Sequence, residues 1–218
     1  MSKSTILEDV RQVNLTFTDF NNIVVLPTIG DGNCFFHSVL RAFNSEYIKA
    51  KSLTDRVNMA RTFRNALADR LEEIDPLSGK TYYAGLNNGE LEKISGGIKE
   101  YGLVALQREL RSSSPVDNIY QELISNCLNK DIYIIDGTKK DMYQVGSAFP
   151  LYYKGRNSII IFYIPGHFEV VGLKHKDGSI DTFFTPEHPL IQACRERLLK
   201  FFKTGSSIAL SPKMTIKM

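Results

Sequence analysis

Thr28-Ile29-Gly30-Asp31-Gly32-Asn33-Cys34-Phe35-Phe36-His37 decides how the rest of the chain is read. Gly30, Asp31, Gly32 and Asn33 together predict a tight turn. An apolar run follows. Cys34, Phe35, Val39, Leu40 and Phe43 have the spacing of a short helix over 34–43, with Cys34 in its first turn. A thiol there lies near unpaired backbone N–H groups and the positive end of the helix dipole, and both favour the thiolate. The same N–H groups suit an oxyanion on a substrate. Taken alone, however, one cysteine on an apolar helix face reads as a small buried hydrophobe.

Upstream, Ile23–Leu26 reads as a brief strand stopped by Pro27, delivering the chain to the turn. Residues 1–22 form an N-terminal extension in which Ile6, Val10 and Val13 could share a helical face. Downstream, residues 44–54 read as a linker anchored by Tyr47 and Ile48. Val57, Ala60, Phe63, Leu67, Leu71 and Ile74 then predict a helix over 55–74, ended by Asp75-Pro76. Its solvated face carries Arg56, Arg61, Arg70, Glu72 and Glu73. Residues 79–97 combine loop with a short helical turn. Gly96-Gly97 is not a phosphate loop, since no Lys-Ser/Thr pair follows. Residues 98–110 are weakly helical.

Ser114, Pro115 and Asp117 supply a cap, a first position and a capping box for the next helix. Its apolar stripe includes Val116, Ile119, Tyr120, Leu123, Ile124 and Cys127, which places Cys127 in the core. Asp131–Ile135 is a strand, and 141–153 is irregular. Ser158–Ile164 is apolar enough for a central strand. Pro165-Gly166 turns into a partner strand over His167–Leu173, and Asp177-Gly178 makes a hairpin into Ser179–Phe184. Thr185-Pro186 opens a last helix with Ile191, Cys194, Leu198 and Phe201 on one face. Arg195, Arg197, Lys200 and Lys203 make the rest of it basic. The Ser-rich, basic tail after Gly205 reads as disordered.

A chain of 218 residues with 43% hydrophobic content is expected to form one domain with a sizeable core. A net charge of +3 is too small to imply nucleic acid. Cys34, Cys127 and Cys194 have neither disulfide-framework nor metal spacing, so no metal or other cofactor is expected. They fit a reducing compartment, and a cytoplasmic location is the expectation. Neither a signal run nor a stretch of transmembrane length is apparent, so no membrane contact and no secretion are expected.

Asp31-Gly32-Asn33-Cys34-Phe35-Phe36 resembles the signature of the OTU (ovarian tumour) family of papain-like cysteine proteases, which mostly remove ubiquitin or ubiquitin-like proteins from their conjugates. The family's nucleophile matches Cys34. Its general base is a histidine just after a turn near the end of the domain, and Gly166-His167-Phe168-Glu169-Val170-Val171 resembles that segment. The family often has an aromatic next, matched by Phe168. It often has Asn or Asp two places after the histidine, where this chain departs with Glu169. The resemblance spans about residues 23–173. It implies an α/β (α+β) papain-like OTU fold, with a small central, mostly antiparallel sheet packed between helices. The catalytic domain would be 23–184, a helix over 185–203 would pack on it, and 204–218 would be a tail. Compact single-domain members occur in cells and in viruses, so a viral member acting in host cytoplasm is within the resemblance.

The implied activity is thiol-dependent hydrolysis of the isopeptide bond after the C-terminal glycine of ubiquitin or a ubiquitin-like protein. Ubiquitin, polyubiquitin chains or ubiquitin-like modifiers would be the partners of a monomer. Cys34 attacks, and His167 takes the thiol proton and returns it to the leaving amine. Asp31, Gly32 and Asn33 shape the oxyanion loop, with Gly32 expected to supply backbone freedom. Side chains two apart on a strand share a face, which puts Glu169 beside His167 as the third member. Asp19, Asn21 and Asn22 remain alternatives for that place. His37 shares a helix face with Cys34 and is the rival base, although a packing role suits it better. His175 and His188 read as surface residues. Two other readings stay open: an inactive OTU-like ubiquitin-binding module, and a cysteine hydrolase of another acyl substrate.

Overall fold

The computed structural model describes residues 9–91, 99–115, 118–143 and 153–203. Among them the chain builds strands β1 (Arg11–Gln12), β2 (Ile23–Leu26), β3 (Asp131–Asp136), β4 (Asp141–Met142), β5 (Ser158–Ile164), β6 (His167–Lys174) and β7 (Ile180–Asp181). The helices are α1 (Cys34–Phe43), α2 (Ser45–Lys49), α3 (Leu53–Arg70), α4 (Tyr82–Gly85), α5 (Leu103–Arg111), α6 (Asn118–Leu128) and α7 (Pro189–Lys203).

The strands form one mixed sheet in the order β1-β2-β6-β5-β3-β4, with β7 also on β6. β3 and β5 run parallel, and the other pairs are antiparallel. β5 and β6 are therefore interior strands, which agrees with their nearly continuous apolar sequence. Alternate residues of the sheet feed two cores. Ile132, Ile134, Ile159, Ile161, Phe168 and Val170 pack with α1, α3, α4, α5 and α6. Tyr133, Ile135, Ile160, Phe162, Val171 and Leu173 pack on the other side against Leu190, Ile191, Cys194 and Leu198 of α7. A sheet between helical layers follows from this two-faced burial.

Several local expectations change. β1 replaces the helical face proposed around Val10 and Val13, because Arg11 and Gln12 pair with Val25 and Val24; Ile6 lies outside the described residues. The 44–54 linker contains α2, capped by the Asn44 side chain. Tyr47 is buried there, whereas Ile48 is exposed. α3 ends at Arg70, ahead of its predicted end, and Ile74 lies exposed beyond it. α7 begins at Pro189 instead of Pro186, because His188 takes the capping place: its Nδ1 accepts the Leu190 amide at 3.2 Å. Val116, Asp117, Gly96, Gly97 and the tail from residue 204 lie outside the described residues.

Candidate active site

β2 feeds the turn that precedes α1, and β6 returns beside it. Leu26 pairs with Val170, so the segment after β2 runs alongside the first residues of β6. The Thr28 hydroxyl donates to the Phe168 carbonyl, tying loop to strand. Phe35 and Phe168 meet edge to face with ring centroids 5.1 Å apart. The sequence thus fixes α1 on β6 through aromatic packing at one end of the sheet.

Asp31 organises the turn. Its Oδ1 accepts the Asn33 amide at 2.8 Å, and its carbonyl accepts the Cys34 amide at 3.2 Å. Asn33 stands at the N-cap of α1 without making a side-chain cap bond. Its side chain is engaged elsewhere: Nδ2 donates to Asp31, and Oδ1 accepts from Arg64 at 3.0 Å. α1 therefore begins without a side-chain cap, and the backbone of Phe35 lies near enough to the Cys34 thiol to pull its pKa down.

Gly32 has a different importance from the one expected. Its φ is not in the left-handed region. The constraint is steric, because a Cβ would overlap the Ser113 carbonyl oxygen and stand 3.0 Å from its carbon. Gly166 is the glycine whose conformation matters here: at φ +86° it turns the chain from β5 into β6 and sets His167 at the strand's first residue.

The segments that carry Cys34 and His167 meet at this junction. The backbone of Phe168, the residue next to His167, lies near enough to the Cys34 thiol to pull its pKa down. The His167 ring borders Gly30, where an added Cβ would be 3.9 Å from Cε1. Burial pushes the Cys34 thiol above its ordinary range, although the neighbouring amides pull it down. Burial also lowers the His167 imidazole, opposed by Glu169. Both shifts favour the neutral forms, in contrast to the thiolate expected from the helix position.

Glu169 shares the face of His167 and is buried. It is paired with Arg11 of β1. The alternatives for its place lie elsewhere. Asn22 exchanges hydrogen bonds with Lys174 at the other end of β6, and Asn21 adjoins it. Lys174 lies seven residue steps along β6 from His167, roughly 23 Å. Asp19 is exposed next to Phe20, whose ring stacks on His188 near the start of β5.

Cys34, His37 and Asp31 also form a Cys-His-Asp arrangement that resembles a triad in composition. His37 is fully buried, with Nδ1 2.7 Å from the Tyr47 hydroxyl and Nε2 3.3 Å from the Asp31 carboxylate. Both ring nitrogens face those partners. Burial lowers His37, which keeps it neutral. His175 pairs with Asp181 on the surface, and half-buried His188 caps α7.

Arg64 is the residue sequence reasoning missed. The residue is 1% exposed, and its guanidinium lies over the Phe36 ring. Nε and Nη2 donate to the Leu110 and Glu109 carbonyls at 2.7 Å each. Nη1 donates to the Asn33 side chain and the carbonyls of Ser114 and Gly32, at 3.0, 3.0 and 3.3 Å. It thus ties the turn before Cys34 to the segment after α5. A signal was present: Ala60, Phe63, Arg64, Leu67, Ala68 and Leu71 keep helical spacing, and Arg64 occupies a core-facing position among them.

Among the described residues, no cluster of three or more His, Cys, Asp or Glu side chains is arranged to hold a metal ion, and no helix is long and apolar enough to cross a membrane. No protein-family model matches the sequence, and no curated protein matches it. Solved structures do. An ovarian tumour (OTU) domain in complex with ubiquitin superposes with a TM-score of 0.51 at 16% identity, covering 85% of this chain and 90% of that one. The fold is that of an OTU domain. Two viral structures match with lower scores. The Hazara virus OTU bound to ubiquitin gives a TM-score of 0.38 at 21% identity, covering 81% of this chain and 95% of that one. The viral OTU domain protease from Dera Ghazi Khan virus gives 0.39 at 14%, covering 78% and 98%. Within this fold the Cys34 turn and the His167 strand meet at one end of the sheet.

Proposed function

We propose that this protein is a cysteine-dependent deubiquitinase that hydrolyses the isopeptide bond after the C-terminal glycine of ubiquitin or a ubiquitin-like protein. The observation that carries the proposal is the packing of Phe35 on Phe168, which seats the helix start bearing the Cys34 thiol against the strand whose first residue is His167. The OTU fold and the ubiquitin bound to the OTU domain it superposes on support the choice of substrate.

Cys34 is the nucleophile and His167 the base in this reading. The thiol proton passes to the imidazole as sulfur attacks the glycine carbonyl. The carbonyl oxygen takes up the negative charge and draws the Cys34 amide away from its 3.2 Å bond to Asp31. The C–N bond then breaks, and the imidazolium gives its proton to the departing lysine amine. Water, deprotonated by His167, cleaves the thioester and restores the thiol. Because both shifts favour the neutral forms, the nucleophile is generated within the substrate complex. Glu169 orients the ring and stabilises the imidazolium. Three free cysteines and this thiol chemistry suit a reducing compartment such as the cytoplasm.

A ubiquitin probe carrying a C-terminal electrophile tests the reading directly. The native protein should couple to it through Cys34, located by peptide mapping, and should cleave diubiquitin. Binding of ubiquitin without coupling or cleavage would instead identify an inactive ubiquitin-binding module.

A further inference from the structure

We propose that Arg11 is a positioning residue of this site, whose guanidinium holds the Glu169 carboxylate in place behind His167. The inference rests on the reading of His167 as the base, and it brings the N-terminal strand into the working parts of the enzyme.

The strand register explains how two residues 158 apart in sequence meet. Arg11 pairs with Val25, and Val25 pairs with Val171, so the three form one cross-strand row. Side chains in such a row point to the same face of a sheet. Glu169 and His167 precede Val171 by two and four residues on β6 and share that face. The long Arg11 side chain reaches diagonally across β2 to the Glu169 carboxylate. Half of the Arg11 side chain is exposed, while that of Glu169 is 7% exposed.

This pairing answers two physical difficulties. A buried carboxylate is costly unless a cation or hydrogen-bond donor meets it. Glutamate also has more rotamer freedom than a shorter acid, so without a second anchor its carboxylate would sample positions away from the ring. The Arg11 Nη2 donates to Oε2, which anchors that end of the carboxylate. Arg41 of α1 lies near enough to act on Glu169, and Asp31 and His37 lie near enough to act on His167. Arg11, on β1, is in direct contact with the carboxylate.

The test uses the full chain with Arg11→Ala, Arg11→Lys, Glu169→Gln and the Arg11→Ala/Glu169→Gln pair. The first measurement needs no substrate: the low-field N–H proton of the His167 ring in isotope-labelled protein, assigned by its loss in His167→Gln. The signal should be present in the native protein, lost or broadened in Arg11→Ala, and retained in Arg11→Lys. The second is diubiquitin hydrolysis. Arg11→Ala should lower kcat roughly tenfold, about 1.4 kcal/mol, with KM little changed, and Arg11→Lys should restore part of the loss. In the Glu169→Gln background the same change should cost less than about twofold. An unchanged ring proton in Arg11→Ala, or an equal loss of kcat in both backgrounds, overturns the role of Arg11. If the ring proton depends on Arg11 while native protein leaves diubiquitin intact, the deubiquitinase reading fails and the Arg11–Glu169–His167 linkage stands.

Discussion

Gly32 and the Ser113 carbonyl approach so closely that no side chain fits between them. The turn before Cys34 is thus seated directly on the segment between α5 and α6, and Arg64 fastens the same two segments beside it. The position of the thiol depends on this seam as well as on α1. Gly32→Ala should therefore lower activity by displacing the turn. A loss on the order of tenfold or more in kcat/KM is expected, together with a lower Tm, since overpacking of this kind costs about 1–3 kcal/mol. Diubiquitin kinetics and thermal unfolding of the variant check this.

Arg64 should be the most damaging of the positions outside the reacting groups. Arg64→Met keeps length and apolar contact with Phe36 but strands the buried Leu110 carbonyl and Asn33 Oδ1, while the Glu109 carbonyl keeps the Ser112 amide and hydroxyl. Each buried acceptor left unpaired costs about 1–3 kcal/mol, so a destabilisation above about 3 kcal/mol is expected. Denaturant unfolding measures it. Arg64→Lys should recover only a minority, because an ammonium cannot span acceptors arranged around a planar fork.

Cys34→Ala should abolish cleavage of diubiquitin and coupling to the electrophilic ubiquitin probe without loss of fold. Circular dichroism and calorimetric binding of ubiquitin distinguish a dead site from an unfolded one. Turnover retained in a well-folded Cys34→Ala protein would remove Cys34 as the nucleophile. By the same chemistry, alkylation by iodoacetamide should leave fully buried Cys194 untouched in the native state, since its thiol has neither access nor an ionised form.

His167→Gln should reduce kcat on the order of 10²–10⁴-fold, the contribution of a positioned proton carrier. His37→Gln should act mainly on stability, through loss of the bonds to Tyr47 and Asp31. Equal loss of kcat in a stable His37→Gln protein would make His37 the base instead. The sign of the pH dependence follows from burial. His167 lies below the ordinary histidine value of 6.5, so it is neutral and competent as a base at pH 7. Activity should hold as the pH falls to 6.5 and decline only below it, as the imidazole gains a proton. A decline of kcat/KM already complete by pH 6.5 would contradict this environment.

The sequence by itself determined the pieces governed by neighbouring residues. α1 begins and ends where its apolar spacing and the Asp31–Asn33 turn required. β3, β5 and β6 follow from short apolar runs bounded by turns, and the turn at Gly166 delivers His167 to the first residue of β6. These are local matters of periodicity, side-chain branching and turn chemistry. Short-range signals also made the Cys34 and His167 segments recognisable as candidates, though neither segment alone showed that they would touch.

Only the tertiary structure decided the partners. β1 has two residues and no periodicity to read, and it exists because β2 offers an open edge. Arg11 reaches Glu169 through a register spanning three strands, while Asn21 and Asn22 fall at the opposite end of β6. Arg64 drew no expectation from the sequence, and only the folded chain brought five acceptors around it. Even the state of the Cys34 thiol changed, because the desolvation of a buried group outweighs the helix-start amides that sequence alone brings to mind. Hydrogen-bond partners and dielectric surroundings are properties of distant segments packed together, and no local pattern encodes which of them will meet.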